Sequence, residues 1–93
     1  MFTSTLTTTL LIKSKMSSQI QREYLLNARK AIRIANDLRF NNVAYNTHVA
    51  WAESYWVNYL KSVGAKRFRE RVSHLMELLA AKNTRGALKY IDM

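Results

Sequence analysis

Between Asn41 and Gly64 the apolar residues recur at spacings of three, four and seven. Tyr45, Val49, Ala52, Trp56, Tyr59, Leu60 and Val63 share one face of a helical wheel, and Asn46, Thr47, Glu53, Ser54, Asn58 and Lys61 share the other. That period predicts a helix over about 43–63. His48, Trp51 and Tyr55 form a shoulder that widens the apolar arc beyond what one neighbour covers, so the helix is expected to lie between two others. Asn42, Asn46 or Thr47 offers a cap at its start, and Gly64 suits the left-handed residue just past its end. Asn46, Thr47, His48, Glu53, Ser54 and Asn58 break the apolar run, which argues against a membrane span of about 20 apolar residues.

The segments on either side carry the same period. Ser18 with Gln21 three residues on matches a capping box, and Glu23 suits the positive end of a helix. Ile20, Tyr24, Ala28, Ala31, Ala35 and Leu38 then line one face, with Ile34 on one flank and Leu25 and Ile32 on the other. This helix is predicted to run from about residue 18 to Phe40 and to stop at Asn41–Asn42. A third is predicted over 65–82, burying Ala65, Phe68, Val72, Leu75, Met76 and Leu79. Beyond Asn83, Thr84 is expected to cap a short fourth helix over 84–91 that carries Ala87, Leu88 and Ile91, although Gly86 weakens it by about 1 kcal/mol.

The expected fold is therefore all-α, a small three-helix bundle with a short C-terminal helix. Residues 17–93 form one helical domain, and residues 1–16 form a disordered tail. Residues 1–15, rich in Thr and Ser and free of acids, also fit an organelle-targeting segment. Met16, opening MSSQIQRE, would serve as an alternative translation start.

Composition narrows the function classes. The chain has 93 residues, no Pro, no Cys and only two Gly, which suits uninterrupted helices and leaves no disulfide or thiolate metal site. Fifteen Lys and Arg against six Asp and Glu give a net charge of +9. Polyanions are the natural partners of such a chain: nucleic acid first, then anionic membranes, then acidic protein surfaces.

The cations are also placed against local helix energetics. Lys66, Arg67, Arg69 and Arg71 open the third helix, where the macrodipole prefers acids. A helix start already presents free N–H groups to an anion, so these four residues are expected to contact phosphates. Arg29, Lys30 and Arg33 on the first helix would add to that surface. The leading expectation is thus a non-enzymatic DNA- or RNA-binding protein, such as a small regulator, in the cytoplasm or on a nucleoid.

The second expectation is a protein-interaction module, an adaptor, inhibitor or accessory subunit, that binds its partner through Trp51 and Tyr55. A domain this small needs its aromatics for a core, so burial of Trp51, Tyr55 and His48 is the expectation. Exposed, they would anchor a partner or a homodimer. No glycine-rich phosphate loop, GxSxG elbow or HExxH motif occurs, and His48 and His74 stand on separate helices with no carboxylate at ligand spacing. No catalytic residue, metal or cofactor is expected.

Overall fold

The computed structural model describes the backbone of residues 2–92 and the side chains of residues 18–92. Among the described residues there are four helices: α1 (Phe2–Asp37), α2 (Asn42–Ser62), α3 (Phe68–Ala80) and α4 (Thr84–Ile91). The tail expected over residues 1–16 falls outside the residues whose side chains are described. From Ser18 onward the fold is the predicted small all-α bundle with a short C-terminal helix.

The helices alternate in direction and form a ring. α2 packs on α1, α3 on α2, and α4 on both α3 and α1. Gln21 ties one end, its side-chain amide donating to the Ser62 carbonyl at 3.0 Å; it reaches across to α2 rather than back to Ser18. At the other end the Tyr45 hydroxyl donates to the Leu79 carbonyl. The Thr84 hydroxyl donates to Asn36 Oδ1 at 2.8 Å, placing the start of α4 beside the end of α1.

The core is the stripe that the period of α2 marks. Tyr45, Val49, Ala52, Trp56 and Leu60 are buried, facing Ala28, Ala31, Ile32 and Ala35 of α1 and Leu75 and Leu79 of α3. Each large side chain fully buried there contributes about 1.5–3 kcal/mol. Ala87 and Ile91 of α4 complete the core.

From Ser18 onward the main differences from the expected boundaries and caps are four, each with a hydrogen-bonding reason. α1 ends at Asp37, and residues 38–40 form a turn closed by the Asn41 amide donating to the Leu38 carbonyl at 2.9 Å. The cap of α2 is Asn41, whose Oδ1 accepts from the Ala44 amide at 3.2 Å; Thr47, within the helix, bonds the Val43 carbonyl instead. The cap of α4 is Asn83, whose Oδ1 accepts from the Gly86 amide at 2.9 Å, while Thr84 is the first helical residue and is buried.

The fourth difference is at α3, which starts at Phe68 rather than Ala65. The Ala65 amide donates to the Leu60 carbonyl and the Gly64 amide to the Lys61 carbonyl, a Schellman motif that assigns Ala65 to the closure of α2. The same motif ends α3. There the Asn83 amide reaches Leu78 and the Lys82 amide reaches Leu79, with Lys82 left-handed at φ 58° where glycine is usual.

Candidate nucleic-acid interface

The closure of α2 shapes the basic junction that follows it. Gly64 turns left-handed at φ 63°, Ala65 follows, Lys66 enters a second turn, and Arg67 turns left-handed again at φ 57°, ψ 40°. Arg67 is thus the cap residue of α3, and it makes no side-chain cap hydrogen bond. The first-turn amides of α3 have no carbonyl within the helix to bond. Glu70, in that turn, suits the positive helix end.

Of the four cations expected here, Lys66, Arg67 and Arg69 are exposed. Arg67 is paired loosely with Glu70, Nε to Oε2 at 4.0 Å, with both side chains open to solvent, where such a pair contributes little. Arg71 is half-buried, its guanidinium 5.6 Å from the centroid of the Trp56 ring. Arg67 and Arg71 do share a face with His74, as their spacing predicts. With Glu70 and Tyr90 they line a shallow cavity of about 320 Å3. The His74 and Tyr90 rings lie 4.4 Å apart, so α4 forms the far wall.

The basic residues of α1 do not act as one set. Arg29 turns toward α4, where its Nε lies 3.2 Å from Asp92 Oδ1 in an ion pair without hydrogen-bond alignment. That charge is neutralised locally. Lys30 turns the other way, into a groove of about 280 Å3 between α1 and α2 that it shares with Ile34, His48, Trp51 and Tyr55. Arg33 is exposed. Only Lys30 and Arg33 of this trio are left without a carboxylate partner among the described residues.

In the aromatic shoulder of α2, Trp51 corrects the expectation of burial, while Tyr55 packs partly buried against the core. Trp51 is 54% exposed, and Tyr55 and His48 are half-buried at the edge of the α1–α2 groove. His48 Nδ1 donates to the Ala44 carbonyl at 2.9 Å, and its ring meets Trp51 edge-on at 5.0 Å. The indole is thereby held outward by its own helix. Leu26, also on the surface, is 52% exposed.

A second cationic concavity escaped the sequence reading. Arg39, Lys82 and Arg85 converge with Asn36, Asn83 and Thr84 around a cavity of about 430 Å3. These cations span 46 positions of sequence and form no run. The signal that could have found them is topological: in an alternating bundle the first and third connections fall at the same end.

Among the described residues no three His, Asp or Glu side chains gather as metal ligands, and no helix is long and apolar enough to cross a membrane. Burial raises the Tyr45 phenol above its ordinary pKa of 10.0. No family model matches the chain, and neither a curated protein nor a solved structure shows significant similarity to it.

Proposed function

We propose that the chain is a small, basic, non-enzymatic nucleic-acid-binding protein that contacts phosphates through Lys66, Arg67, Arg69 and Arg71. Arg67 carries this reading. A non-glycine residue in the left-handed region costs about 1–2 kcal/mol, yet Arg67 holds that conformation with its side chain 81% exposed and only a 4.0 Å pair to Glu70. The Arg67 side chain gains no burial in return, and strain of this kind gathers at binding sites. Arg67 caps α3 without a side-chain cap bond, and with exposed Lys66 and Arg69 nearby in sequence the free amides and the cations together suit a phosphate.

The test separates binding from stability. Arg67→Gly relieves the strained backbone, so the variant is expected to be as stable as wild type or more stable by up to about 1 kcal/mol. It is expected to bind random double-stranded DNA or single-stranded RNA more weakly. Four phosphate contacts give a log–log salt slope of about −3.6 on duplex DNA and about −2.8 on a single strand, which should flatten in Lys66/Arg67/Arg69/Arg71→Ala. Equal affinity and equal slope in wild type and both variants would overturn the reading.

The exposure of Trp51 favours one second reading, a protein partner docked on the outer face of α2 beside Lys30 and Tyr55. Large exposed aromatics next to a cation are typical interface anchors. An acidic partner would suit the charge of the chain. Loss of partner capture in Trp51→Ala, with nucleic-acid binding intact, would support this reading over the first.

A further inference from the structure

We propose a separate anion site, specific for a phosphate group, in the cavity between the end of α1 and the start of α4. Arg39, Lys82 and Arg85 supply three positive charges to its wall, and none of the side chains that line it is acidic. Like charges gathered in one concavity repel each other and raise the local potential. The junction before α3 differs in having Glu70 within its own cavity.

One of the cations is held in place before any ligand arrives, and a second is loosely tethered. Lys82 Nζ donates to the Arg39 carbonyl at 2.7 Å and to Asn42 Oδ1 at 3.1 Å, which leaves one ammonium hydrogen for a ligand. Arg39 Nη1 donates to Asn36 Oδ1 at 3.4 Å, and its guanidinium lies 5.1 Å from the centroid of the Phe40 ring. The remaining guanidinium hydrogens form a fork that matches phosphate oxygens.

Structural duty accounts for Lys82 but not for Arg85. Lys82 sets its charge against the carbonyl end of α1, whose last turn holds no basic residue of its own. Arg85 stands in the first turn of α4, where the helix dipole opposes a cation, and it makes no ion pair among the described residues. An anion bound between the three cations removes both penalties. A phosphate dianion matches that charge better than a carboxylate, and the volume admits phosphate with part of the molecule that carries it.

The experiment is a titration of the full 15N-labelled chain with inorganic phosphate, sodium chloride keeping ionic strength constant, followed by amide spectra. The expected result is saturable movement of the Arg85 and Gly86 amides and the Asn36 and Asn83 side-chain signals. The apparent affinity is expected to fall about tenfold in Arg85→Gln, the loss of one charge-assisted contact. Arg85 is exposed, so that variant is expected to keep the wild-type far-ultraviolet circular dichroism. Lys66/Arg67/Arg69/Arg71→Ala is expected to leave these shifts intact, so this site and the junction before α3 fail or stand separately. A second arm uses a single-stranded octanucleotide without a terminal phosphate. Saturation by both ligands assigns a polymer backbone as a source of the phosphate, and saturation by inorganic phosphate alone assigns a free phosphate. Shifts that chloride reproduces, or that Arg85→Gln leaves unchanged, overturn the site.

Discussion

Arg71 holds Trp56 from two directions. Its main-chain carbonyl accepts the indole N–H at 3.4 Å, and its guanidinium lies 5.6 Å from the centroid of the same ring. Arg71 therefore contributes to the core as well as to the basic surface, whereas its exposed neighbour Arg69 does not. Arg71→Ala is expected to lower stability by about 0.5–1 kcal/mol through the lost cation–π contact. Arg69→Ala should stay within about 0.5 kcal/mol of wild type. Urea midpoints of the two variants test this, and equal midpoints would count against the contact.

Tyr45 links stability to alkaline pH. Its buried phenol has a pKa above 10.0, so the folded state favours the neutral form more than the unfolded chain does. The stability this contributes is complete below about pH 10 and is lost as pH rises through the folded pKa. Tyr45→Phe removes the hydrogen bond to the Leu79 carbonyl and is expected to cost about 1 kcal/mol at neutral pH. That carbonyl keeps the Lys82 amide as a partner, which limits the cost. Stability measured from pH 8 to 11 should fall less steeply in Tyr45→Phe than in wild type.

Asn83 and Gly86 act as one unit at the start of α4. A Cβ at residue 86 would come within 2.5 Å of the Asn83 side chain that caps the Gly86 amide. Gly86→Ala must therefore displace the cap, despite the better helix propensity of alanine. Asn83→Ala removes the cap directly, at a typical cost of about 1 kcal/mol. The double variant is expected to be no less stable than the worse single variant, because there is one cap to lose. Additive losses in thermal unfolding would show that the two residues act independently.

The two tryptophans of α2 should separate cleanly. Trp56 is 1% exposed, and Trp56→Ala is expected to cost about 3–5 kcal/mol. Trp51→Ala should shift the unfolding free energy by less than about 1 kcal/mol, since over half of that side chain already meets water. A large loss of stability in Trp51→Ala would place it in the core and remove the outer face of α2 as an interface.

Periodicity made the buried stripe of α2 legible because Tyr45, Val49, Ala52, Trp56 and Leu60 need only the pitch of a helix to align. The shoulder was misjudged because a wheel shows direction but not how wide a neighbour's footprint is. Ala28, Ala31 and Ala35 let α1 approach closely, and so small a footprint leaves Trp51 outside it. The start of α3 was misplaced because the closure of α2 takes in Ala65, and no propensity scale puts an arginine at a left-handed position. The grouping of Arg39, Lys82 and Arg85 depends on how the helices return on one another, which local pattern does not encode.

The alternation of helix direction sorts the basic residues by loop, and so by end. Lys66, Arg67 and Arg69 stand where α2 finishes, while Arg39, Lys82 and Arg85 stand where it begins. Between the two groups runs a helix of 21 residues, about 30 Å long at 1.5 Å per residue. If both ends take phosphate, the molecule is a divalent strut rather than a clamp. It would then cross-link polyanion chains near charge equivalence and release them once every chain end-on contact has its own copy of the protein.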